Sequence, residues 1–179
     1  MRKILQSTLI LLLIMSCCFQ PAAFARSNDL DSRVPMTVDE VYQSMGYVEV
    51  SDAINTYESK TSYTIALPEK LPFQTEKNFG KAEGDKLTID FVSDNGKKLF
   101  KLTIQPLADT KQEYNFKLED GSPALLKSNP SPMNVTFLYF QKDKFLYSLS
   151  LNYYDKKSRR EKLIDTANSM MADNQTFQE

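Results

Sequence analysis

Lys86-Leu87-Thr88-Ile89-Asp90-Phe91-Val92-Ser93-Asp94-Asn95-Gly96-Lys97-Lys98-Leu99-Phe100-Lys101-Leu102-Thr103-Ile104-Gln105 sets the architecture of this 179-residue chain. Leu87, Ile89 and Phe91 alternate with polar neighbours, and Phe100, Leu102 and Ile104 do the same on the return. Asn95-Gly96 between them tolerates the positive φ that a tight reversal needs, so the stretch predicts an antiparallel hairpin with one buried face.

Further segments repeat the pattern on either side. Ser62 to Leu67 is β-rich and stops at Pro68. Glu113 to Leu118, Ser122 to Lys127, Asn134 to Gln141 and Phe145 to Tyr153 follow at hairpin spacing, separated by Glu119-Asp120-Gly121, Asn129-Pro130-Ser131-Pro132 and Lys142-Asp143-Lys144. Val135 to Phe140 is apolar on both faces and predicts a central strand covered on both sides. Two helices frame this β region. Thr37 and Glu40 have capping-box spacing ahead of Val38, Val41, Tyr42 and Met45, with Gly46 as the stop. Ser158 and Glu161 have the same spacing ahead of an apolar stripe of Leu163, Ile164, Ala167, Met170 and Met171. Tyr47 to Ser59 has no clean period and predicts no definite element. The expected class is α+β: a largely antiparallel sheet of about six strands, a short N-terminal helix, and a C-terminal helix packed on the sheet.

The first 25 residues read as an export signal. Arg2 and Lys3 precede a mostly apolar run from Ile4 to Met15, and Ala23 and Ala25 stand where a signal peptidase requires small residues, so cleavage after Ala25 is expected. The apolar run falls short of the roughly 20 residues of a membrane span. Ile14-Met15-Ser16-Cys17 also resembles a bacterial lipobox, which makes lipidation of Cys17 the alternative processing. Residues 26–36 read as a polar linker, residues 37–172 as a single domain and residues 173–179 as a disordered tail.

Composition excludes several chemistries. The chain has 22 basic and 23 acidic residues, no His, no Trp, and Cys only at positions 17 and 18. Removal of residues 1–25 takes away Arg2, Lys3 and both cysteines, leaving a mildly acidic chain without thiols or imidazoles. Ser-His-Asp and Cys-His nucleophile systems and His-ligated zinc are therefore out of reach. The five glycines form neither G-x-G-x-x-G nor a P-loop, so no cofactor is expected, and no metal site is marked. The basic run Lys156, Lys157, Arg159, Arg160 and Lys162 reads as a solvated helix start, and nucleic acid is not an expected partner.

Carboxylates remain. Asp90 beside Glu83 or Asp85 is the pair to inspect for glycoside hydrolysis, although Asp90 alternates with apolar neighbours and so predicts the wet face of a half-buried strand. The aromatic residues of the last two strands, Tyr139, Phe145 and Tyr147 with Tyr153 and Tyr154, suit either a core lining or a platform for a peptide, lipid or sugar.

Leu71-Pro72-Phe73 before the long hairpin, the Leu99 to Gln105 strand, Gly121 followed by Ala124-Leu125-Leu126, the Phe137 to Leu151 hairpin and the Glu161 to Met170 helix together resemble the bacterial domain of unknown function numbered 4367. That family occurs in exported lipoproteins and downstream of anti-sigma-factor segments. The resemblance spans about Ser62 to Met171, and where the family's hairpin often carries Trp this chain has Phe or Tyr. It implies an extracytoplasmic α+β sensor or binding module and carries over no catalytic residue. The expected function is a non-enzymatic envelope module that binds a partner protein or an apolar ligand, touching membrane only through a lipid anchor. A carboxylate-dependent hydrolase of cell-wall glycan is the alternative.

Overall fold

The computed structural model describes residues 36–108, 113–129 and 134–171. The expected export signal with Cys17 and Ala25, residues 26–35 of the expected linker and the expected tail at 173–179 lie outside them. The described residues belong to one compact unit. In chain order they form α1 (Val38–Ser44), α2 (Val50–Thr61), β1 (Lys77–Glu83), β2 (Lys86–Ser93), β3 (Lys98–Pro106), β4 (Phe116–Lys117), β5 (Pro123–Ser128), β6 (Thr136–Lys142), β7 (Phe145–Leu151) and α3 (Lys156–Met171). The strands make one antiparallel sheet of seven in the order β1-β2-β3-β7-β6-β5-β4. The fold is α+β, with one strand more than the sequence suggested.

The long hairpin is present, with Ile89 opposite Leu102 and Phe91 opposite Phe100. Its connection is the four residues Asp94 to Lys97, of which Asp94, Asn95 and Gly96 have φ of 52°, 51° and 87°, so Lys97 belongs to the turn and not to the strand.

Alternation sorts the sheet into two faces. The inner face carries Leu87, Ile89, Phe91, Phe100, Leu102, Ile104, Tyr147, Leu149, Leu151, Leu138 and Phe140, all buried. Two helices cover it. α3 contributes Leu163, Ala167 and Met170, and α2 contributes Ala53 and Tyr57. α2 comes close because β1 offers Gly80 beneath it: a Cβ there would stand 2.5 Å from that of Ala53.

Several expectations are corrected. Ser62 to Leu67 joins no strand ladder. The edge position is taken by β1, whose Asn78 and Gly80 are poor strand formers and gave no alternation. The stretch from Tyr47 to Ser59 contains most of α2. Glu113 to Leu118 shortens to β4, because Asn115 turns its side-chain amide onto β5. Its Oδ1 accepts from the Leu126 amide at 2.9 Å and its Nδ2 donates to the Leu126 carbonyl at 3.1 Å. α3 starts two residues before Ser158. Asp155 is its cap, accepting through Oδ1 from the amides of Lys157 and Ser158 at 2.9 and 3.1 Å, and Ser158 donates its hydroxyl to Oδ2 at 2.6 Å. β6 lies inside the sheet but is covered on one face, so its residues alternate between buried and half-buried.

α1 carries the expected capping box. Thr37 Oγ1 accepts from the Glu40 amide, and the Glu40 carboxylate accepts from the Thr37 amide at 2.7 Å. Unlike the other helices it lies on the outer face, over β1 and β2, where the Tyr42 ring stacks on Phe79 with centroids 4.0 Å apart.

Candidate functional site

The sequence candidates Tyr139, Phe145 and Tyr147 do not share a face. Tyr147 pairs with Phe140 across the inner face and stacks on it at 5.3 Å; burial pushes its hydroxyl pKa up to about 12. Phe145 is buried against Tyr57 and Tyr63, with ring centroids at 6.2 and 5.4 Å. Both belong to the core. Tyr139 points the other way, opposite Ser148, and stacks in parallel with Phe137 at 6.1 Å. The cleft expected between the terminal helix and the aromatic hairpin is filled by Leu163, Ala167 and Met170 packed on Leu138, Phe140 and Leu149.

Tyr139 instead belongs to the outer face of β3, β7, β6 and β5. Thr103, Ser148 and Ser150 run across it as a row of hydroxyls, Phe137 and Tyr139 sit beside them half-buried, and Leu125 and Lys127 follow on β5. No described helix lies over these strands. At one end Leu99, Val135, Ser150 and Asn152 line a concavity of about 310 Å³, which is at the small limit for a molecular ligand.

Where α1 covers the same face, β2 holds the acid that the sequence placed in water. Asp90 is 3% exposed. Lys101 on β3 pairs with it across the ladder, Nζ to Oδ1 at 3.1 Å, but off the hydrogen-bonding direction, so Oδ1 has no aligned donor. The Tyr42 and Tyr47 hydroxyls face the same carboxyl. Burial raises the Asp90 pKa above the ordinary carboxylate range despite the stabilising Lys101 charge. The wet-face expectation failed because its cover, Tyr42 and Tyr47, comes from a distant part of the sequence.

Asp90 is not paired with the acids named for hydrolysis. Glu83 lies opposite Lys86 and bonds Lys81 at 3.2 Å. Four residues of β2 therefore separate its level from that of Asp90, about 13 Å at 3.3 Å per residue. Glycosidase carboxyl pairs stand about 5 to 9.5 Å apart. Asp85 lies one residue further off, in the β1–β2 turn. Among the described residues no three Asp, Glu, His or Cys side chains gather to hold a metal.

A second concavity, an open groove of about 950 Å³, runs between Leu71–Glu76, Ser93, Lys98, Tyr154 and Lys162. Glu76 is held below the ordinary carboxylate range by the Asp94 amide and the Ser93 hydroxyl, each at 3.1 Å. Tyr154 enters the groove from a left-handed backbone, φ 71°. Its carbonyl accepts from Arg159, a guanidinium 1% exposed that also donates to Thr136 Oγ1 at 3.1 Å and to Asn134 Oδ1 at 2.7 Å.

No family model, curated protein or solved structure matches the chain. The resemblance to the 4367 domain therefore finds no support in these comparisons. Of the features above, the open hydroxyl-and-ring face contains one sequence candidate, Tyr139. The buried Asp90–Lys101 pair and the Arg159 anchor had no local sequence signal, because each is assembled from segments far apart in the chain.

Proposed function

We propose that the chain is a non-enzymatic extracytoplasmic module that binds a partner protein through the outer face of β3, β7, β6 and β5. The observation carrying this reading is the stacked Phe137–Tyr139 pair, half-buried beside Thr103, Ser148 and Ser150 on strands whose other face is fully packed. Flat aromatic surface flanked by hydroxyl groups suits a protein partner, which can lay side chains on the rings and offer acceptors to Ser148 and Ser150. A small apolar ligand fits less well, since the helix-side space is filled by side chains. The extracytoplasmic placement rests on the N-terminal sequence.

The test places a photo-crosslinking residue at Ser148 on the open face and, separately, at Lys157 on α3, in the native host. A discrete adduct formed from position 148 and not from 157 is expected. Equal labelling from both positions overturns the assignment. Incubation with peptidoglycan and β-linked oligosaccharides is expected to release nothing; product release abolished by Asp90→Asn or Glu83→Gln would instead establish the glycan hydrolase. Intact mass of the envelope protein is expected to show a chain starting at Arg26 or at a lipid-bearing Cys17. A chain retaining residues 1–25 in the cytoplasm overturns the placement.

A further inference from the structure

We propose that α1 is a releasable strap, docked over the β1–β2 corner of the outer face, whose lifting extends the open face from four strands to six. The proposal does not depend on the partner reading, because it concerns an equilibrium within the chain itself.

The hold on α1 is narrow. None of its residues is buried. It is kept down by the Tyr42 ring on Phe79, the edge of Tyr47 against Tyr42 at 5.0 Å, the exposed Asp39–Lys77 ion pair, and the backbone pair Val48–Gly80, bonded in both directions at 2.8 Å. Gly46, at φ +79°, turns the chain from α1 into the Val48–Gly80 pair, so the strap that lifts runs from α1 through Val48. The capping box satisfies the first amides of α1 from within, so undocking leaves few new polar groups to hydrate.

What the strap covers opposes it. A carboxylate taken out of water needs a full set of donors to break even, and Asp90 Oδ1 lacks an aligned one. The groups facing Asp90 are Lys101 from β3 and the hydroxyls of Tyr42 and Tyr47. On β1, Lys77 is engaged by Asp39 and Lys81 by Glu83, while Thr88 and Val92 flank it on β2. A buried, under-satisfied acid beneath an element that buries nothing of its own gives a cover with a small margin of stability, as expected of elements that open locally.

The three titrating groups at this contact all shift in one direction. Burial raises Asp90 and Tyr42, and the Asp90 charge raises Lys101 against its desolvation. Asp90 and Tyr42 therefore bind their protons more tightly with the strap down, while the Lys101 shift comes from its β2 neighbour Asp90. Docking gains strength as pH falls through the raised Asp90 pKa and loses it as pH rises.

Hydrogen–deuterium exchange on the full chain, expressed as protection factors, tests this. The Val48 and Gly80 amides are expected to be protected at least about 100-fold less than those of Leu102 and Leu149. Their protection is expected to fall further as pH rises from the ordinary carboxylate range through the raised Asp90 pKa. Asp90→Asn should raise that protection and remove its pH dependence. Tyr42→Ala, on the strap and outside the core, should collapse protection at Val48 and Gly80 while Leu102 keeps its own. The proposal is overturned if Val48 and Gly80 are as protected as Leu102, if Tyr42→Ala leaves them unchanged, or if the pH dependence survives in Asp90→Asn.

Discussion

Arg159 shows how much one side chain organises here. It is fully buried, and its three bonds go to neutral acceptors, on Asn134, Thr136 and Tyr154. Two of these residues, Asn134 and Tyr154, hold left-handed backbones at φ 48° and 71°, a conformation that costs a non-glycine residue roughly 1 kcal/mol or more. The guanidinium fork joins the start of β6, the end of β7 and the first turn of α3, and so keeps both strained residues in place. Arg159→Met, similar in length but without donors, is expected to lower stability by about 3 kcal/mol, read as a shift in the urea midpoint. Arg159→Lys should recover only part of it, because an ammonium cannot span the same three acceptors. None of this was legible in the sequence, where Arg159 stood in a basic run and looked solvated. The local pattern reports charge, whereas burial was decided by a helix whose cap lies three residues earlier, at Asp155 instead of Ser158.

Elements were legible where they alternate or carry their own caps, and illegible where tertiary contact defines them. The β2–β3 hairpin could be read to within a residue, and α1 followed from its Thr37–Glu40 box. α2 escaped because its buried face is essentially Ala53 and Tyr57, one i,i+4 pair, too thin a stripe to register as a period. Ser62 to Leu67 misled for the opposite reason: it has the β-branched and aromatic residues of a strand, and Ile65 is buried, but the segment joins no strand ladder. Gly80 ties the missed strand to the missed helix. Gly80→Ala would press its new methyl into Ala53 and Val50 and is expected to cost about 1 to 3 kcal/mol in chemical denaturation; pairing it with Ala53→Gly should recover part of the loss. At the far end of the sheet, Asp155→Ala is expected to lower the melting temperature more than Ser158→Ala, since the Asp155 carboxylate receives three bonds at the start of α3. Those bonds hold the Asp155 pKa low, so its contribution is present above the ordinary carboxylate range and is lost as pH falls through the depressed value.

For the whole molecule, the α+β class followed from the alternating strands, but the proposed binding face did not, because which side of a sheet stays open depends on where helices land. Both long helices land on one side and fill it with Tyr57, Tyr147 and their apolar neighbours. Burial raises both of these hydroxyls, Tyr147 to about 12. Each therefore stabilises the fold below pH 10, and that contribution is lost as pH climbs from about 10 towards 12. With nine tyrosines and no tryptophan, an alkaline titration followed by tyrosinate absorbance is expected to show a late phase that coincides with loss of the far-ultraviolet dichroism. A single smooth titration of all nine would contradict the packed inner face. The side-chain amide of Asn115 matters at this scale too. By occupying both backbone groups of Leu126, it continues β4 along the edge of β5, and so denies neighbouring molecules a template on which to extend the sheet. Crowded solutions of Asn115→Ala should accordingly gel or form fibrils sooner than the parent chain does, at little change in thermal midpoint, which makes this modest contact a guard of solubility more than of stability.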